Sequence, residues 1–318
     1  MAVQKTVYDH IVANNIKTFL LVLLMPILLL ACVFLVFGLA SINNPNGWQM
    51  AQQVLLEFGI PICVIGLVWG LISYFAGDKM MLGFAGAHLA PNDENPTHKK
   101  IYRAVENVSI AAGLPMPKVY LIEDESLNAF ATGHSPQTAS VALTTGIIAK
   151  LKPLELEAVI AHEMGHIGNR DIRLNMIIIA GLGVCAMLAE LLFRLTYSNH
   201  NRHKKEDSGI KAVFILFAIG LTIFNFIIAP IIQLAISRTR EYAADATAAY
   251  ITRNPAALAS ALRKISEDAR VEILDESKNM AHACIYDPLD PNRMAFFGST
   301  HPPIEKRIER LNQMAGLF

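Results

Sequence analysis

Apolar and polar positions along the chain fall into long blocks before any finer period shows. After a polar lead containing Lys5 and Lys17, residues Thr18 to Ala40 run without a charge. As a helix this stretch is about 34 Å long, enough for a hydrocarbon core of about 30 Å. A cleaved signal peptide ending near Gly38 and Ala40 is the competing reading, but the apolar run exceeds the usual core of about 7 to 15 residues, so an uncleaved anchor is expected. The linker Ser41 to Gln53 holds Asn43-Asn44-Pro45-Asn46-Gly47, which is turn chemistry, and has no Lys or Arg. A second block, Val54 to Ala76, carries Glu57 alone. The third, Leu174 to Tyr197, is interrupted by Glu190 and Arg194, spaced to neutralise each other on one helix face. The fourth, Ala212 to Ile236, contains Asn225, Pro230 and Gln233. Four transmembrane helices in two hairpins are therefore predicted.

Between the blocks the pattern becomes that of a globular domain. Ile101, Val105, Val108 and Ala112 have helical spacing, closed by Gly113 and Pro115. Val119 to Ile122, Asn128 to Thr132 and Ser140 to Thr144 read as short strands, and Pro153 opens a helix through Leu154, Leu156, Ala158, Val159 and Ala161. After the fourth block, Arg240 to Tyr250, Pro255 to Ala269 and Pro303 to Met314 read as helices. The fold class is thus a mostly α membrane protein with an α+β domain containing a small sheet. Its parts are an N-terminal transmembrane hairpin at 1–76, a first globular part at 77–173, a second transmembrane hairpin at 174–236 and a second globular part at 237–318.

Charge orients this arrangement. Lys5 and Lys17 precede the first pair of blocks, and Lys79, Lys99, Lys100 and Arg103 follow it, with none between. The positive-inside bias puts both flanks in the cytoplasm. The loop Ser198 to Lys211, with Arg202, Lys204, Lys205 and Lys211, opposes that bias for the second pair. Either this pair crosses despite the charge or it forms a shallow hairpin; the block lengths favour crossing. Composition agrees with a lipid bilayer as a partner: 53% of residues are hydrophobic and 17% charged. A net charge of zero and the lack of a basic stripe argue against nucleic acid as a partner. Four cysteines, three of them inside apolar blocks, form neither a disulfide framework nor a CxxC site.

The candidate chemistry lies in Ala161-His162-Glu163-Met164-Gly165-His166. Histidines four apart share a helix face and can reach one metal ion, while Glu163 between them can act as a base on a bound water. A catalytic Zn²⁺ needs three protein ligands and an open position. An HExxH extension of the HxxGxxH type would need Gly at 169 and His at 172, where this chain has Asn169 and Ile172. A carboxylate from a second helix is the other solution. Glu241 opens Glu241-Tyr242-Ala243-Ala244-Asp245, so Glu241 can ligate while Asp245, one turn on, accepts a hydrogen bond from a ligand imidazole. One zinc per chain is expected, held by His162, His166 and Glu241. Asp171 is readable either as a helix cap or as a support for the site.

His162-Glu163-x-x-His166 followed by Glu241-x-x-x-Asp245, with two apolar blocks before and two between, resembles the HtpX-like membrane zinc metallopeptidases, relatives of the CAAX prenyl proteases. Asn128-Ala129-Phe130-Ala131 and Thr300-His301-Pro302-Pro303 resemble two further motifs of that family. The resemblance implies a zincin-like metallopeptidase domain and an endopeptidase of the inner membrane. Its catalytic domain would face the cytoplasm, and its substrates would be polypeptides, misfolded or membrane proteins clipped in quality control. In that setting Asn128 reads either as a substrate-backbone contact or as a turn asparagine, and His301 either as a stabiliser of the tetrahedral oxyanion or as a helix cap. A substrate strand is expected to pair with an exposed sheet edge made by Ser140 to Thr144 or by Asn128 to Ala131.

Overall fold

The computed structural model describes residues 75–174, 208–224, 229–267 and 302–317, with isolated positions elsewhere. By contacts the chain divides into two units. One gathers Met1–Ile16, Tyr74–Ile179 and Gln233–Phe318, and the other Lys17–Ser73 and Ala180–Ile232. Every site residue described below belongs to the first.

In that unit the elements run β1 (His88–Leu89), α1 (Pro96–Ala112), β2 (Lys118–Ile122), β3 (Ala129–Thr132), a 3-10 turn (Pro136–Thr138), β4 (Ser140–Thr144), α2 (Thr145–Lys150) and α3 (Pro153–Gly168). After α4 (Ser208–Ile223) of the second unit come α5 (Ala229–Thr252), α6 (Pro255–Glu267) and α7 (Ile304–Met314). The three strands expected from sequence form as read. β1 is too short to carry a period and escapes such a reading. α1 ends on Gly113 at φ 66°, the left-handed cap that glycine adopts without a Cβ penalty.

The sheet order is β1-β2-β4-β3, with β2 and β4 parallel and the outer pairs antiparallel. β4 is therefore an interior strand, which corrects the reading of Ser140–Thr144 as an exposed edge: its five residues are all buried and it is paired on both sides. β3 is the edge. Thr144 N–H donates to the Asn128 carbonyl at 3.1 Å, so alternation turns the backbone groups of Phe130 and Thr132 towards β4 and those of Ala129 and Ala131 outward.

One core joins the sheet to the helices, with Ile101, Val105, Val141, Leu143, Leu156, Ile160, Leu258, Leu262 and Leu311 among its members. α3 runs through it, and from Leu156 to Gly165 only Glu157 is not buried. Pro153 starts the helix where its missing N–H costs nothing, and Glu155 accepts the Lys152 N–H at 2.8 Å. The same carboxylate takes Ser260 Oγ–H and Lys264 Nζ–H, each at 2.7 Å, which fixes α6 against the start of α3. At Gly165 a Cβ would sit 3.3 Å from Ala244 Cα and 3.4 Å from its carbonyl oxygen. Hydrogen at this position lets α3 and α5 approach closely between the two histidines.

Among the described residues no helix is long and apolar enough to cross a membrane. Most residues of the first three predicted spans lie outside the described residues, isolated positions excepted. In the third, Arg194 Nε donates to Glu190 Oε1 at 3.0 Å, the pairing its spacing suggests. The fourth block is shared between α4 and the first turns of α5, and α5 continues unbroken to Thr252.

Candidate metal centre

α3 places His162 and His166 one turn apart, their rings at 90° with centroids separated by 4.8 Å. The two Nε2 atoms face each other at 3.2 Å. Glu241, entering from α5, puts Oε2 3.7 Å from His162 Nε2 and Oε1 3.5 Å from His166 Nε2. The two distances run to different oxygens of Glu241; taking one donor atom from each residue, all three lie within 4.8 Å of one another, which lets them converge on one ion.

The outer partners of the rings sharpen this fit. His162 Nδ1 stands 3.0 Å from Asp245 Oδ1, and His166 Nδ1 stands 2.9 Å from Asp171 Oδ2. A ring that gives its Nδ1 proton to a carboxylate keeps a lone pair on Nε2. The two Nε2 atoms stand 3.2 Å apart, where one ion could take both as ligands.

The electrostatics lead to the same place. Glu163, Asp171, Glu241 and Asp245 are all buried, and the guanidiniums against them are those of Arg240 and Arg307. Among the described residues four acids meet two arginines, an excess of acid that a divalent cation would offset. Burial pushes the Glu163 carboxyl above the usual carboxylate range, against the attraction of the two histidines. For Asp245 burial acts in the same sense, but Arg307 overrides it and holds the group down at about 2. At His166 burial favours the neutral ring, yet Asp171 and Glu241 outweigh it and lift the group to about 10. The acids around His166 favour positive charge there, and His162, His166 and Glu241 fit a metal ion.

Asp171 reaches His166 by a device that helical periodicity does not contain. The helix stops at Asn169, and Arg170 takes φ 59°, a left-handed conformation uncommon for a residue with a Cβ. That turn swings Asp171 back towards the helix it has just left. Arg240 Nη1 lies 3.5 Å from Asp171 Oδ1.

The structure thus brings together His162, Glu163, His166, Glu241 and Asp245. Asn128 is buried at the head of β3, where its Oδ1 accepts the Ala129 N–H at 2.9 Å and its own N–H donates to Thr144 Oγ1 at 3.1 Å. The Ala131 backbone N–H slightly favours the charged form of Glu163, the smallest of the influences on that carboxyl. His301 lies outside the described residues. Asp171 lies against His166, while Arg240 and Arg307 are site neighbours that the sequence reading did not single out. A signal existed for Arg307: it falls on the apolar stripe Ile304, Ile308, Leu311, where a solvated cation does not belong.

Two histidines and a glutamate around one point, with a buried carboxylate beside them, define a metallohydrolase centre. Comparison with known proteins makes the class specific. The profile of peptidase family M48 matches residues 95–315, and the chain belongs to that family. It is 39% identical over 314 residues to a Protease HtpX homolog of Bacteroides fragilis, covering 94% of this chain and 96% of that one. A Protease HtpX homolog of Tropheryma whipplei is 37% identical over 311 residues, covering 98% and 99%. Among solved structures, S. mikatae Ste24p aligns over 96% of this chain and 67% of its own, with 20% identity and a TM-score of 0.45. The chain is accordingly a metalloprotease, acting on polypeptides with the help of a bound metal.

Proposed function

We propose that this metalloprotease is a membrane-bound, zinc-dependent endopeptidase of cellular quality control, cleaving misfolded or membrane proteins from the cytoplasmic face of the inner membrane. The observation that carries the chemistry is the convergence of His162 Nε2, His166 Nε2 and a Glu241 carboxylate within 4.8 Å of one another, beside buried Glu163. Zinc held there would supply Lewis-acid activation of a water molecule and of the scissile carbonyl.

The chain's own residues do the rest. Glu163, raised in proton affinity by its burial, takes the proton of the attacking water and returns it to the leaving amine. The Ala131 N–H favours the charged form of this carboxylate in a minor way. Asp245 and Asp171 fix the ring orientation and tautomer of His162 and His166. The substrate lies along β3 and meets the outward carbonyl oxygens of Ala129 and Ala131, gaining affinity with little sequence preference. Asn128 serves the substrate at the head of that edge, and His301 stabilises the oxyanion in this reading.

Membrane attachment is supported by the four apolar blocks and by large apolar side chains standing free at positions such as Leu20, Ile27, Leu56 and Leu71, each more than half exposed. Water does not favour such a surface and lipid does.

Stripping metal from the detergent-purified chain with a chelator is expected to end hydrolysis of an unfolded protein substrate, and one equivalent of Zn²⁺ to restore it. Hydrolysis that persists in the metal-free chain overturns the reading. For topology, single cysteines at positions 201–208 should react with an impermeant reagent only from outside the cytoplasm. Labelling from the cytoplasmic side would show that the second apolar pair does not cross.

A further inference from the structure

α7 is amphipathic, and Ile304, Ile308 and Leu311 mark its apolar stripe. Arg307 lies on that stripe and is 1% exposed, although it carries the longest cationic side chain available. Such a group is tolerated only when its charge and its donors are met. Arg307 Nε donates to Asp245 Oδ2 at 2.8 Å and Nη2 donates to Asp245 Oδ1 at 2.7 Å, the two-pronged pairing that fixes a carboxylate plane. Its third nitrogen, Nη1, is 3.4 Å from Glu241 Oε2. One guanidinium therefore engages two acids a helical turn apart. One of them belongs to the candidate ligand set, and the other faces the Nδ1 of His162 through the oxygen that Arg307 also holds. Arg310, one turn further along α7, stacks its guanidinium 3.7 Å from the ring centroid of Tyr242, the residue that follows Glu241. α7 grips the ligand turn of α5 at two points.

We infer that Arg307 is a positioning residue of the metal centre: it locks Asp245 and Glu241 together, so the C-terminal helix completes the ligand geometry. This rests on the reading that His162, His166 and Glu241 hold the ion. An ordinary structural ion pair would need Asp245 alone, whereas Arg307 also reaches the carboxylate that closes the ligand set. Lysine keeps the charge but cannot form the two-pronged pair, so charge and geometry are separable at this position.

The test is zinc affinity, measured on the full-length, detergent-purified chain by competition with a chromophoric chelator. Arg307→Gln should weaken zinc binding by about 10–100-fold, the usual loss when an outer partner of a ligand is removed. Arg307→Lys should recover part of that loss. Should Arg307→Gln not fold, combining it with Asp245→Asn removes both charges of the buried pair. That double variant should bind zinc more weakly than Asp245→Asn alone, because the contact with Glu241 is also lost, but by less than the two single losses multiplied, because Arg307 acts partly through Asp245. Wild-type affinity in folded Arg307→Gln, or losses that multiply in the double variant, would overturn the inference. A wild-type chain that binds no zinc would overturn the ligand set itself, and this inference with it.

Discussion

Glu163→Gln is expected to retain one zinc per chain and to lower peptide hydrolysis by about 10²–10⁴-fold, the range that a positioned general base contributes. The substitution is close to isosteric. The fold is therefore expected to survive. Removing a carboxylate from a cluster with a surplus of negative charge also relieves repulsion with Glu241, one of the causes that raise the proton affinity of Glu163. What the amide cannot do is take a proton from water. Elemental analysis paired with a protease assay separates the two properties, and undiminished cleavage by a zinc-loaded Glu163→Gln chain would refute the assignment of the base.

Glu241→Ala should do the opposite, losing the metal first and the activity as a consequence. Two imidazoles remain, but the third side of the ligand face, at 3.5 and 3.7 Å from their Nε2 atoms, is gone. Removing a ligand is expected to cost more than the roughly 10–100-fold that follows loss of an outer partner. The change also takes one negative charge out of a buried region with an excess of acid among the described residues, so the metal-free fold should not suffer electrostatically. Metal content after dialysis, compared with the melting temperature of the metal-free chain, distinguishes ligand loss from misfolding. Full zinc occupancy in this variant would point to another third ligand.

The parts of the site that sequence discloses are those set by helical periodicity. His162 and His166 share a face because they are four apart, and Glu241 and Asp245 share a face for the same reason. Asp171 is different. It is five residues beyond His166, and an uninterrupted helix would carry it round to another side. It reaches the ring only because Arg170 turns left-handed, a conformation that no residue type there advertises. Arg307 sits in a segment, Ile304-Glu305-Lys306-Arg307, that reads as a charged surface helix unless its place on the apolar stripe is weighed. The strands are readable one by one from their β-branched and aromatic content, but their order is a matter of non-local pairing. Nothing local to Ser140–Thr144 tells an interior strand from an edge. Membrane topology rests on block length and flanking charge, and most of the relevant residues lie outside those the structure describes.

The surplus of acids around the two imidazoles also bears on how the chain stays folded. Like charges crowded in a dry interior favour unfolding, where water and distance separate them, and a dication that binds only the assembled face removes that tendency. At a free concentration one hundred times its dissociation constant, such an ion adds about 2.7 kcal/mol to the stability of the folded form. Metal loss would then silence the protease and loosen it in one event, so that an idle copy would itself become easier to degrade.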